Sequence, residues 1–361
     1  MIYQVTYRPY RRPFRQPLRT HHGTWSEREG IVLRLTDIHG HVGFGEIAPL
    51  PTFGSESLAQ ALVWCASLNG QCSSATLDSI PAHLPACQFG FEAAVDGIAI
   101  ANSSHAPNSA EAAYCRLLPT GPLALDAWKQ VYRQGDRTFK WKIGVAPIQT
   151  ELAVFEKLIH QLPVDVNLRL DANGGLSDQE AHEWLTVCDR LRSVGLAMPT
   201  IELIEQPLPP NQFESLLQLS QEYQTPIALD ESVGTFTQLQ TCYQLGWRGI
   251  VVIKPAIAGY PSRVREFCRA HHLDVVWSSV FETAIARRYI LDYLVPSVYG
   301  QTAYHQSADS MPKRALGFGT QQYLDDSYFD DGYFGDSLAS ELGPHHDDLN
   351  ALFNPPYNAS P

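Results

Sequence analysis

A chain of 361 residues is long enough for about two domains, or for one large barrel with an addition. With 44% hydrophobic and 18% charged residues, disordered, collagen-like and coiled-coil architectures are excluded for its bulk. The balance of 26 Lys and Arg against 38 Asp and Glu, net −12, argues against nucleic acid or an anionic membrane as the main partner, because both attract a positive face. The first residues carry arginines but no apolar core, so they do not read as a signal peptide, and no apolar run approaches the roughly 18 residues of a membrane helix. Seven cysteines, scattered and without CxxC, read as buried, reduced thiols rather than a disulfide frame or zinc site. A cytoplasmic globular protein is expected.

In chain order, residues 3–7 and 30–35 alternate like antiparallel strands, joined by a long Arg/His/Gly segment over 10–29. A turn at 37–41 leads to a third strand at 43–47, and helical patterns follow at 57–68 and 88–102. That is a small α+β unit. From about residue 114 the rhythm becomes strand then helix, with apolar runs at 114–118, 138–143, 165–171, 200–205, 225–230, 249–254 and 273–278. An eighth strand is expected near 301–305. Between them, Ile148, Leu152, Phe155, Ile159 and Leu162 share one helical stripe. Ser177 with Glu180 reads as a capping box, Asn211 with Glu214 as a second, and Gly246 as a helix stop. The pattern predicts an α/β chain built as a (β/α)8 barrel. A doubly wound open sheet is the alternative, but neither GxGxxG nor GxxxxGK[ST] occurs.

Barrel enzymes place their chemistry at the C-terminal ends of strands, and polar residues recur there. Lys140 and Lys142 share one face of the second strand, since side chains alternate with period two. Arg169, Asp171 and Asn173 end the third strand, Glu205 the fourth, Asp230 and Glu231 the fifth, Lys254 the sixth. Asp171 to Glu205 is 34 residues, Glu205 to Asp230 is 25 and Asp230 to Lys254 is 24, each about one βα unit. Three converging carboxylates repel unless a cation lies among them. An all-oxygen set without HxH or HExxH matches Mg2+ (or Mn2+) better than zinc. Singly, each residue also reads as a turn residue or a solvated charge; five tips in register carry the argument.

This pattern, Lys-x-Lys followed by Asp, Glu, Asp and Lys at successive tips, resembles the muconate-lactonising branch of the enolase superfamily over nearly the whole chain. Ile253-Lys254-Pro255 and 278-SSVFET-283 are most similar to the o-succinylbenzoate synthases of menaquinone and phylloquinone biosynthesis. The Asp-x-Asp that dipeptide epimerases carry after strand eight is not found in 301–309. The resemblance implies an enolase-type modified barrel with an N-terminal α+β capping domain over 1–108, the barrel over 109–315, and a segment over 316–361 that returns to the cap. It implies a lyase in which Asp171, Glu205 and Asp230 hold the metal, Lys142 abstracts a proton next to a substrate carboxylate, and Lys254 acts from the opposite side. Lys140, Arg169, Asn173 and Glu231 would orient base and ligands, with Lys140 beside Lys142 disfavouring its charged form. The same site also permits dipeptide or N-acylamino acid epimerisation; a catalytically silent scaffold is disfavoured because every chemical position is present.

Substrate contacts are expected at Ser278 and Ser279, or these form a helix N-cap with Glu282 in the first turn. Family members place a closing loop over 15–27, which makes Arg19 and Thr24 candidate contacts and equally a solvated loop. The acidic tail 323–336 fails the EF-hand spacing and reads as strand and turn material, and His345-His346 as surface. The partner is expected to be a small carboxylate, and the protein a monomer or small homo-oligomer.

Overall fold

The structure, a computed structural model, describes residues 1–20, 23–101, 113–193, 198–299, 314–320 and 323–324, the side chains of residues 16, 18–20 and 23 excepted. The N-terminal sheet is antiparallel, in the order β3-β2-β1-β4. Its strands are β1 (Ile2–Thr20), β2 (Gly23–Asp37), β3 (Val42–Ile47) and β4 (Gln71–Ser73). β1 and β2 pair from Tyr3 opposite Asp37 out to Thr20 opposite Gly23, so most of the segment expected as a connection over 10–29 is a continuation of the ribbon. The alternation was disguised there. Tyr10, Arg12 and Phe14 face inward while Arg11 and Arg15 are exposed, so a buried arginine interrupts the apolar period of two.

Three helices follow: α1 (Leu58–Ser67), α2 (Ser74–Asp78) and α3 (Pro85–Ala101). Ser57 and Gln60 close a capping box on α1. α3 lies on β3 almost backbone to backbone: a Cβ on Gly43 or Gly45 would meet the carbonyl oxygens of Ala94 or Gly90 at 2.0 Å.

The second sheet is parallel, its strands in sequence order. They are β5 (Cys115–Leu117), β6 (Thr138–Lys142), β7 (Asn167–Asp171), β8 (Thr200–Glu205), β9 (Ile227–Leu229), β10 (Ile250–Ile253) and β11 (Val275–Trp277). The ring is closed by residues 316–317, Leu316 bridging to Tyr114 and Gly317 to Ser278. The Cys115 amide donates to the Leu316 carbonyl and the Gly317 amide to the Trp277 carbonyl, both at 2.8 Å. These residues were expected in the C-terminal return; the strand expected at 301–305 lies outside the described residues, as do His345-His346 and all of the acidic tail beyond Leu324.

Helices α4 (Ala124–Arg133), α5 (Ile148–Gln161), α6 (Asp178–Ser193), α7 (Phe213–Glu222), α8 (Phe236–Gln244), α9 (Pro255–Ala258), α10 (Pro261–Ala270) and α11 (Ala284–Tyr289) intervene or follow. The Ser177–Glu180 box caps α6 reciprocally, at 2.9 and 3.3 Å. The box expected at Asn211 and Glu214 does not form, because Pro210–Gln212 makes a 3-10 turn that runs directly into α7. Proline presets φ for such a turn, so Asn211 already lies inside it and Gln212 takes the cap position of α7. Gly246 stops α8 in a left-handed conformation, φ 103°. The seven cysteines are free and buried, and burial pushes the thiols of Cys72 and Cys242 up to about 11.

The N-terminal unit sits over the C-terminal strand ends. The buried guanidinium of Arg28 donates to the carbonyls of Ala48, Pro49 and, beyond β11, Val280 at 2.6, 2.9 and 2.7 Å. Glu46 accepts from Tyr10 Oη at 2.5 Å and from the Thr283 amide at 2.9 Å, just ahead of α11. Below, Glu92 of α3 accepts from the Ser262 amide (2.6 Å) and hydroxyl (3.1 Å) at the start of α10. Burial, reinforced by Asp96 and opposed by Ser262 and Arg265, pushes the Glu92 carboxyl up to about 6. The folded chain therefore holds this proton more tightly than the unfolded chain. Stability is fully present below about 4.5 and falls as pH rises through about 6, by on the order of 1 kcal/mol. Glu92→Gln is expected to flatten the fall in unfolding free energy between pH 4.5 and 6.5, measured by urea titration; an unchanged slope would refute it.

Candidate active site

Period-two alternation along each parallel strand carries the site. Inside the barrel, Leu203, Ala228, Ile250, Val252 and Val276 form a small apolar core. Two residues further along the same faces stand Glu205, Asp230, Lys254 and Ser278. β7 aligns with both neighbours at its tip, Lys142 beside Asp171 and Asp171 beside Glu205. That last alignment needs a bulge: Leu168 pairs with Ile201 but Arg169 with Leu203, which leaves Glu202 as the extra residue. Without it Asp171 would face Ile204.

Asp171, Glu205 and Asp230 are 3%, 1% and 3% exposed. Lys140 Nζ donates to Asp171 Oδ2 at 3.0 Å and to Glu205 Oε1 at 2.7 Å, and Lys254 Nζ binds Asp230 Oδ1. Lys142 Nζ donates to Asn173 Oδ1 at 2.7 Å, and Asn173 Nδ2 to Glu231 Oε1 at 3.2 Å. Burial alone would lower the Lys140 pKa, but Asp171, Glu205 and Asp230 outweigh it and raise it well above the lysine range. Lys140 is therefore held as a positive charge on the carboxylates, on the same face of β6 as Lys142. Burial pushes Glu205 and Asp230 upward, against the pull of Lys140 and Lys254.

The donor set fits a hard divalent cation. All its donors are oxygens, they stand on three consecutive strand ends, and Glu205 Oε2 is buried with no hydrogen-bond partner. As placed, each of these carboxylates is engaged by a lysine, and among the described residues no three His, Cys, Asp or Glu side chains form a ready-made cage. A cation would compete with the ammoniums of Lys140 and Lys254 for those oxygens.

A cavity of about 860 Å³ opens above these residues, between barrel and cap. Ser278 and Thr24 line it; the Arg19 side chain lies outside the described residues. Ser279 also borders it, but its hydroxyl donates to Glu282 (2.9 Å) and accepts from the Phe281 amide (2.8 Å). It organises a turn, while the N-cap of α11 is Thr283. Arg169 sits one layer deeper than expected. It binds Glu202 at 2.7 Å and the Ala315 carbonyl at 2.9 Å, and Arg314 joins Glu202 to Asp274. It braces the barrel floor and makes no hydrogen bond to the three carboxylates.

Other residues reach the site without a signal at a strand tip. The Phe53 ring, from a 3-10 turn of the cap, lies 4.2 Å from Lys254 Nζ. Phe281, at φ 62°, packs edge-on against Phe14 and Trp25 of the ribbon, at centroid distances of 5.2 and 5.9 Å. Only the docking of cap on barrel brings these rings together.

A capped barrel whose rim carries Lys-x-Lys, three carboxylates and an opposed lysine defines an enolase-type enzyme. Residues 123–333 match the family model described as enolase C-terminal domain-like, and residues 3–97 match that of the MenC N-terminal domain. The o-succinylbenzoate synthase of Thermosynechococcus vestitus is 39% identical over 88% of this chain and 92% of its own. The crystal structure of o-succinylbenzoate synthase from Thermosynechococcus elongatus, complexed with Mg in the active site, superposes with a TM-score of 0.78 at 38% identity, covering 89% of this chain and 94% of that one. An L-Ala-D/L-Glu epimerase of Bacillus subtilis shares the fold, with a TM-score of 0.64 at 23% identity over 80% of this chain and 86% of its own. This chain belongs to the o-succinylbenzoate synthase family of the enolase superfamily. No helix among the described residues is long and apolar enough to cross a membrane.

Proposed function

We infer that this chain dehydrates 2-succinyl-6-hydroxy-2,4-cyclohexadiene-1-carboxylate to 2-succinylbenzoate. The observation that carries the reading is the opposition of Lys142 and Lys254 across one carboxylate-floored cavity, their strands lying four places apart in a closed ring. A family member 39% identical over 88% of this chain supports the same chemistry. Asp171, Glu205 and Asp230 would hold Mg2+ (or Mn2+), which when bound supplies Lewis-acid charge for the substrate carboxylate.

Lys142, as the free amine, takes the proton from the ring carbon that bears the carboxylate. The electron pair left on that carbon is delocalised into the carboxylate. Lys254, held as an ammonium between Asp230 and the Phe53 ring, stabilises this charge from the other face. Lys142 then returns its proton to the departing hydroxyl. One C–H and one C–O bond break, a ring double bond forms, and water and an aromatic product leave. Asn173 aims Lys142, and Lys140 stays charged to balance the floor. Ser278, Thr24 and Arg19 are proposed contacts of the succinyl chain, though Ser279 is spent on Glu282. The division into a cap over 1–108, a barrel over 109–315 and a return over 316–361 belongs to this reading, with 316–317 in the ring; the Phe14–Leu324 bridge supports the return. So does a cytoplasmic enzyme acting on a small carboxylate.

Loss of diene absorbance in the presence of Mg2+, with appearance of the aromatic product, is the direct test. Deuterium exchange at the α-carbon of dipeptides or N-acylamino acids without any aromatic product would overturn the reading in favour of an epimerase.

A further inference from the structure

Five non-glycine residues among those described have positive φ, and three of them lie just past strand tips of the site: Asn173, Gln206 and Phe281. Gln206, at φ 39°, follows Glu205 directly and is 0% exposed. A left-handed backbone is strained for a residue that carries a side chain, so the surroundings must hold it there. They do so on three strands at once. The Gln206 amide donates to the Ala228 carbonyl of β9 at 2.8 Å, and its carbonyl accepts from the Gly174 amide beyond β7 at 2.7 Å. Its side-chain Oε1 accepts from the Asp230 amide at 2.9 Å and the Ser232 amide at 3.2 Å. Nε2 donates to the Leu208 carbonyl at 2.9 Å and to Ser232 Oγ at 2.8 Å. The amide group is thus saturated, two bonds at each end. A glycine would take this backbone without strain but would leave the Asp230 and Ser232 amides without an acceptor.

We propose that Gln206 is a positioning residue that sets the spacing of Asp171, Glu205 and Asp230, and with it the affinity of the site for a divalent cation. One residue ties the loop after Asp171, the end of the Glu205 strand and the backbone of Asp230 into a single rigid unit. Carboxylates carried on backbone held in this way have little freedom to drift apart, and Mg2+ demands near-octahedral geometry at short range. The proposal rests on the reading that these carboxylates hold the cation, and its test separates the two.

The full chain, stripped with chelator, is titrated with MgCl2 by calorimetry as wild type, Gln206→Met, Ser232→Ala and Asp230→Asn. Methionine keeps the shape and removes all four side-chain bonds; alanine at 232 removes one. The Mg2+ dissociation constant is expected to rise about 10- to 100-fold in Gln206→Met, and severalfold in Ser232→Ala, which carries the test if the first variant does not fold. A folded variant that merely loses stability would keep its wild-type constant, so wild-type affinity in the variants overturns the proposal. A wild-type chain that takes up no Mg2+, or an Asp230→Asn chain that binds like wild type, overturns the metal-site reading and the proposal with it.

Discussion

Lys142→Ala is expected to lower turnover on the cyclohexadiene substrate by about 10²–10⁴-fold, the usual contribution of a positioned general base. The side chain is half-buried on the inner face of β6 and ends at Asn173 on the cavity wall. Its removal enlarges a cavity that is already open and strips no buried partner of its charge, so the unfolding midpoint should hardly move. Mg2+ affinity should also survive, because Asp171, Glu205 and Asp230 are contacted by Lys140 and Lys254. Steady-state kinetics with calorimetric Mg2+ titration checks both halves. Unchanged turnover would remove Lys142 from the mechanism. Lost Mg2+ binding would place it on the metal side instead.

Glu205→Gln is expected to weaken Mg2+ binding by about 10²-fold or more and to lower turnover at fixed Mg2+ by on the order of 10³-fold, with partial recovery as Mg2+ is raised. The substitution removes one of three buried negative charges. It can also set an amide –NH2 against the Lys140 ammonium, where a carboxylate oxygen now accepts at 2.7 Å. The control lies on the same strand. Glu202 is half-buried, and it binds Arg169 and Arg314, one layer below. Glu202→Gln should lower stability through the floor network and leave Mg2+ affinity near wild type. Equal loss of Mg2+ affinity in both variants would mean that general electrostatics, rather than ligation by Glu205, governs the cation.

Much of the barrel was legible because a parallel strand buried on both faces leaves a short apolar run, and the helices between leave a 3.6-residue stripe. Strands predicted at 138–143 and 200–205 occur at Thr138–Lys142 and Thr200–Glu205. The ribbon was not legible, since its inward positions include Arg12 and Arg28, which donate to the backbone carbonyls of Glu282 and Val280 far along the chain. Arg28 finds Val280 252 positions away. Ring closure at 316–317 was missed for a similar reason. Two bridging residues are too short a run to carry any period.

The sequence by itself determined which residues stand at the rim, because alternation and the length of a βα unit force one polar position per strand tip toward the barrel axis. It also determined the chemical type of the site, three carboxylates answered by lysines. Tertiary structure alone decided how those groups are held. The bulge at Glu202 changes the parity of β8, so that both Glu202 and Glu205 reach the interior despite an odd spacing. Gln206 joins three strand ends through bonds to Ala228, Asp230, Ser232 and Gly174. Lys140 proved to be bound to the carboxylates, and Ser279 to Glu282. Local pattern reports which way a side chain points; its hydrogen-bond partner depends on where distant backbone lies, and only the closed and capped barrel brings that backbone within reach.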